Sequence, residues 1–167
     1  MSDVPVEQLF HEYHASLVRM LYRRTGDRDR AEDLAAEVFA RAVATPPENP
    51  RPWLFAVALN LVRDDGRRAV RQGRRLQLLK GEDAAGPLAP DDHLERSDQT
   101  RAVRAALQQL RDVDREVLLL KAEGFDYDEI AAATGLAKGA IGTTICRARR
   151  RLVEAYRAQE KDHHAAS

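Results

Sequence analysis

Apolar side chains recur three and four positions apart along most of this chain, the spacing that places them on one face of an α-helix. Leu9, Phe10, Tyr13, Leu17, Met20 and Leu21 predict a first helix over residues 6–24, broken by Thr-Gly-Asp at 25–27. Asp29 followed by Glu32 has the spacing of a capping box, so a second helix is expected to open there and to carry Leu34, Val38, Phe39 and Ala42 on one side. Glu32, Asp33, Glu37 and Arg41 fall largely elsewhere on that helix. The run TPPENPRP at 45–52 must stop it, because proline removes a backbone donor and restricts the residue before it. Pro52 suits the first position of a third helix. Its apolar side is Trp53, Leu54, Val57, Ala58, Leu61 and Val62, and it runs out into RDDGRRAVRQGRR.

The periodicity then lapses. GEDAAGPLAPDDH at 81–93 is rich in Gly, Pro, Ala and Asp, the composition of a linker. Val103, Ala106, Leu107 and Leu110 mark another helix, and DREVLLLKAEG a shorter one that Gly124 ends. Asp126 with Glu129 repeats the capping-box pattern. In YDEIAAATGLAKGAIGTTI the placement of Ile130, Ala131, Gly135, Ile141 and Ile145 matches a helix-turn-helix: a small residue lets two helices cross, glycine makes the turn, and Ile141 anchors the second helix on the first. An ordinary helical hairpin with a glycine turn shares that spacing; the arginines after Cys146 favour DNA. Ile141, Ile145, Ala148 and Leu152 share one side, and Cys146, beside that stripe, is expected to be a small packed residue. The fold class is therefore all-α. Two small helical domains are expected, residues 1–80 and 96–160, joined by a flexible acidic linker at 81–95.

Composition agrees: aromatic residues make up 5% of the 167 residues, and Ala, Leu, Arg and Glu dominate. The formal net charge of zero argues against a nucleic-acid binder until it is taken by segment. Residues 51–80 carry net +6 and residues 135–167 net +4, set among acidic segments of −3 (1–50), −4 (81–101) and −3 (102–134). Two separated basic blocks suggest two places where phosphates dock, although solvated Arg-rich helix faces would give the same count.

Other classes recede. No apolar stretch approaches the ~20 residues of a membrane span, and MSDVPVEQLF lacks a basic-then-apolar signal layout, so no membrane insertion and a cytoplasmic location are expected. The single cysteine excludes an intramolecular disulfide. No Gly-rich phosphate loop or nucleophile motif is present. No catalytic residue, cofactor or small-molecule substrate is expected, and His163 and His164 lack the ligand spacing of a metal site.

RAEDLAAEVFARA at 30–42, RPWLFAVALNLVRDDGRR at 51–68 and LRDVDREVLLLKAEGFDYDEIAAATGLAKGAIGTTICRARRRL at 110–152, in this order, resemble regions 2 and 4 of a bacterial RNA polymerase sigma factor. The group resembled is the extracytoplasmic-function (ECF) group, compact members of the sigma-70 family, and the likeness covers nearly the whole chain. It implies that 1–80 binds core polymerase and melts and reads the minus-ten element, while 96–160 reads the minus-thirty-five element. On that basis Glu32, Asp33, Glu37 and Arg41 would face the clamp coiled coil of the polymerase, with the flap as a second contact. Asn60, Arg63, Arg67, Arg68 and Arg71 would hold the melted strand, with Arg74 and Arg75 extending the basic track. The base pocket would lie at Thr45–Pro52 and Asn60. Trp53 and Phe55 could stack on bases, although Trp53 is more often core in this pattern. The implied partners are core RNA polymerase, promoter DNA and an anti-sigma factor.

The chain departs from the family at Ala36, where glutamine is usual, and at Leu59, where arginine is common. Gly139-Ala140-Ile141-Gly142-Thr143-Thr144 stands where the family has Gly-Thr-Val-Lys-Ser-Arg. Lys138, Thr143 and Thr144 are then the expected contacts near base edges, with Arg147, Arg149 and Arg150 on phosphates. Gly142 would permit close backbone approach. The helix is expected to position the protein and read sparingly. A stand-alone helix-turn-helix regulator would explain 102–152 but leave 30–68 without a purpose, and a sigma-like decoy that binds a regulator is a third reading.

Overall fold

The computed structural model describes residues 4–80 and 94–166. All regular structure there is helical: α1 (Val6–Thr25), α2 (Arg28–Ala44), α3 (Pro50–Lys80), α4 (Leu94–Gln108), α5 (Asp112–Ala122), α6 (Tyr127–Thr134) and α7 (Lys138–Ala165). Of the expected linker at 81–95, residues 81–93 lie outside the described residues, and Leu94 and Glu95 belong instead to the first turn of α4.

The helix ends follow from local chemistry. α1 stops at Gly26, whose φ of 74° is the left-handed region that glycine enters without a steric penalty. The cap of α2 is Asp27, whose carboxylate accepts the Arg30 N–H at 3.1 Å. The expected box between Asp29 and Glu32 does not form, because Asp29 already lies in the first turn and Glu32 faces Arg28 at 3.5 Å. α3 opens at Pro50 rather than Pro52. Pro52 remains cheap there, since first-turn N–H groups have no intrahelical acceptor. At α6 the expected box does form: Asp126 accepts from Glu129 N–H at 2.8 Å, and Glu129 accepts from Asp126 N–H at 2.9 Å.

In the amino-terminal half, α1, α2 and α3 close over Leu17, Met20, Leu21, Leu34, Val38, Phe39, Leu54, Ala58 and Val62. In the carboxy-terminal half, α5, α6 and α7 close over Val117, Leu120, Ile130, Ile141, Ile145 and Ala148. The two clusters are continuous. α6 packs along α3, and the Phe55 and Phe125 rings meet edge-on with centroids 4.7 Å apart. Burial of each such ring contributes about 1.5–3 kcal/mol. Phe55 and Leu59 are therefore interior, although the apolar pattern left them off the inner side of α3, while Trp53, Val57 and Leu61 are only partly buried. Phe55 is thus withdrawn from base stacking.

Candidate nucleic-acid interface

On α2 the sequence-predicted polymerase-facing residues Glu32, Asp33, Glu37 and Arg41 all lie exposed. Arg41 and Glu37 pair across one turn at 3.2 Å. Pairs this exposed contribute about 0–1 kcal/mol, so they are poor candidates for holding the fold. α3 is fixed against α2 by Arg30, which donates to Asp65. From it Asn60, Arg67, Arg68 and Arg71 project into solvent along one basic edge. The side chains of Arg74 and Arg75 lie outside the described residues.

Arg63 is the exception on that edge. Its guanidinium donates from Nε and Nη2 to both carboxylate oxygens of Glu116 on α5, a bidentate pair. Glu116 is buried at 3% exposure, and that burial pushes its carboxyl above the ordinary value of 4.5, against the opposing pull of the Arg63 hydrogen bonds. The same bonds hold the Arg63 proton more firmly.

The second helix of the helix-turn-helix, α7, seats Ile141, Ile145 and Ala148 in the core, with Leu152 packed against it, as the pattern predicts. Gly139, Ala140, Thr143, Cys146, Arg147, Arg149 and Arg150 are exposed. Thr144 and Cys146 depart from the faces that the sequence pattern predicts for them. Thr144 is 4% exposed, and its hydroxyl donates to the Ala140 carbonyl at 2.7 Å, so it braces the helix instead of facing a groove. Cys146 is exposed, because the step after Ile145 carries it past the inner stripe. Lys138 lies 2.8 Å from Asp128, and this hydrogen bond raises its pKa. The Tyr127 ring lies over Gly142: a Cβ there would come 3.4 Å from Cε2, an ordinary contact. Farther along α7, Arg151 donates to the fully buried carboxylate of Asp114 on α5 and so fixes the helix to its domain.

A third set of contacts, between the two halves, has no counterpart in the sequence pattern of apolar positions. Arg19 and Arg23 on α1 grip Glu123 at 2.6 and 3.0 Å. Arg51, at the start of α3, donates to Glu129 at 2.7 Å and to the Glu123 carbonyl at 3.1 Å, with its guanidinium carbon 4.2 Å above the Phe125 ring. Gln108 donates to the Arg24 carbonyl at 2.8 Å, and Arg104 lies over Tyr22. In the ion pairs the cations come from the amino-terminal half and the carboxylates from α5, from the turn after it and from the first turn of α6. The signal was present in the segment charges, where a basic 51–80 meets an acidic 102–134.

Comparison with known proteins matches this arrangement to a family. The model for sigma-70 region 2 falls on residues 9–72, and that for sigma-70 region 4 on residues 100–152. The ECF RNA polymerase sigma factor EcfG of Rhodopseudomonas palustris is 37% identical over 139 residues, covering 77% of this chain and 72% of the relative. The chain belongs to the ECF group of the sigma-70 family. The RNA polymerase sigma factor CarQ of Myxococcus xanthus is 34% identical over 80% of this chain and 79% of its own. Among solved structures, the sigma factor RpoE from Bartonella quintana, in complex with the anti-sigma factor NepR, matches with a TM-score of 0.66 and 28% identity, covering 90% of this chain and 96% of that one. CnrH, in complex with the cytosolic domain of CnrY, matches with a TM-score of 0.62 and 26% identity over 92% and 88%. No helix among the described residues of this sigma factor is long and apolar enough to cross a membrane.

Proposed function

We propose that this sigma factor divides promoter recognition between residues 1–80 and 96–160, with 81–93 as the tether that lets both engage one promoter. Glu32, Asp33, Glu37 and Arg41 dock on the clamp coiled coil of core RNA polymerase, and the carboxy-terminal half meets the flap. Asn60, Arg67, Arg68 and Arg71 hold the melted minus-ten strand, with Arg63 joining them when it is released from Glu116. On α7, Lys138 and Thr143 approach base edges while Arg147, Arg149 and Arg150 meet phosphates of the minus-thirty-five element. Catalysis belongs to the polymerase. The protein works in the bacterial cytoplasm, on the nucleoid when active, and an anti-sigma factor restrains it.

The observation that supports this reading best is that one chain presents both an exposed basic edge on α3 and an outward-facing helix-turn-helix. Run-off transcription with purified core polymerase tests it. We expect promoter-specific transcripts, and we expect Asp33→Ala with Glu37→Ala to weaken core binding while DNA binding by region 4 persists. Arg67→Ala with Arg68→Ala should impair strand opening. An intact chain that fails to associate with its native core enzyme would reject the proposal in favour of a free-standing regulator.

A further inference from the structure

The contacts between the halves converge on the DNA-binding machinery. α3 carries the basic edge, yet α6 packs along it. Arg63 lies on that edge, and both oxygens of Glu116 occupy its guanidinium fork, the geometry in which arginine also takes a phosphate. Arg51 sits in the segment expected to line the base pocket and is engaged three ways, by Glu129, by the Glu123 carbonyl and by the Phe125 ring. The Glu123 side chain is 1% exposed, and Arg19 and Arg23 reach it from α1. Removing one partner of a pair so enclosed leaves the other without its counter-charge, which is costly.

We propose that the carboxy-terminal half is an intramolecular competitor of the minus-ten strand, with the Glu116 carboxylate standing in for a DNA phosphate at Arg63. The acidic turn between α5 and α6, clasped by Arg19, Arg23 and Arg51, holds the competitor in place. Closure of the two halves and capture of single-stranded DNA then exclude one another. A strand that takes Arg63 must displace Glu116, and opening the halves raises strand affinity. The inference rests on the reading of α3 as the strand-binding edge.

The test uses the full chain without polymerase, small-angle scattering for its size and fluorescence anisotropy of a labelled oligodeoxythymidylate 20-mer for strand binding. A compact chain of this length has a radius of gyration of about 15 Å. We expect the parent protein to scatter near that value and to expand when the oligonucleotide is added. Glu116→Arg and Glu123→Arg should each expand the free protein and tighten strand binding at least fivefold. Glu154→Arg adds the same charge at an exposed position of α7 and should do neither. The exchanged pair Arg63→Glu with Glu116→Arg should reclose the chain, which separates a latch from a folding defect. Circular dichroism confirms that each variant keeps its helix content.

The proposal is overturned if the parent chain is extended in solution, if it binds the strand without expanding, or if the opened variants bind no more tightly than Glu154→Arg. The underlying reading of α3 fails separately, if Arg67→Ala with Arg68→Ala leaves strand binding unchanged.

Discussion

The two helices proposed to face DNA in this sigma factor are built on opposite plans. α7 buries one stripe and turns a run of small residues and, beyond them, Arg147, Arg149 and Arg150 to solvent. α3 buries Leu54, Phe55, Ala58, Leu59 and Val62, and its basic edge borders the surface that receives the other half of the molecule. For α7, the buried stripe and the face proposed to read DNA are different sides of the helix, so changes on the outer face should cost little stability. For α3 the two demands share residues: Arg63 is at once a strand-binding candidate and a structural cation.

The sharpest way to break that contrast is at the joint. Phe125 is fully buried, stacked edge-on against Phe55 and capped by the Arg51 guanidinium. Phe125→Ala should destabilise the protein by about 3–5 kcal/mol, the range for removing a buried aromatic ring. Urea unfolding should then separate into two transitions, that of α5–α7 at the lower concentration. A single transition with unchanged midpoint would mean that the halves are not held together through this ring.

What the sequence made legible, and what it did not, divides along the same line. The inner faces of α2 and α7 were readable because each packs on one side, so Leu34, Val38, Ile141 and Ile145 follow the helical period. The capping box at Asp126 and Glu129 was readable because both partners lie within one turn. The box expected at Asp29 and Glu32 was not, because Asp27 lies nearby, is equally suited to capping, and takes the position after Gly26 ends α1. Phe55, Leu59 and Glu116 depend on partners far along the chain, which leave no local signature. Thr144 and Cys146 sit at the margins of the α7 stripe, where a rotation of one residue decides between core and solvent. The acids expected to face the polymerase and the basic edge rest on family resemblance, and the structure adds their exposure and the engagement of Arg63.

A gentler probe sharpens the contrast from the α7 side. Gly142 has room for a methyl group, since its Cβ would make only ordinary contact with Tyr127. Glycine inside a helix costs about 1 kcal/mol relative to alanine, so Gly142→Ala should stabilise the protein by that amount and raise its melting temperature by a few degrees. If glycine is there for close approach to DNA, the same variant should bind a minus-thirty-five duplex more weakly while becoming more stable. Equal DNA affinity would assign the sparse face of α7 to positioning alone.

The smallest effect concerns pH, and it separates the helices again. Glu116 is faced by Arg63 from α3, by Arg24 from α1, and by Asp112 and Arg115 on its own helix. Burial dominates and raises its pKa in the closed form above the ordinary value of 4.5, while the Arg63 bonds pull it back. A group whose pKa is raised by closure binds its proton more tightly in the closed form. Its contribution to closure is therefore complete below about pH 4.5, the ordinary value it regains on opening, and fades as pH rises through the raised value. Scattering followed from pH 7 down to pH 4.5 should show a modest shift toward the compact form on acidification. Glu116→Gln, which stays neutral throughout, should remove that shift while leaving the outward face of α7 unaffected, as measured by duplex binding over the same range. A pH response that survives in Glu116→Gln would place the titrating group elsewhere and leave Glu116 acting on Arg63 through hydrogen bonding alone.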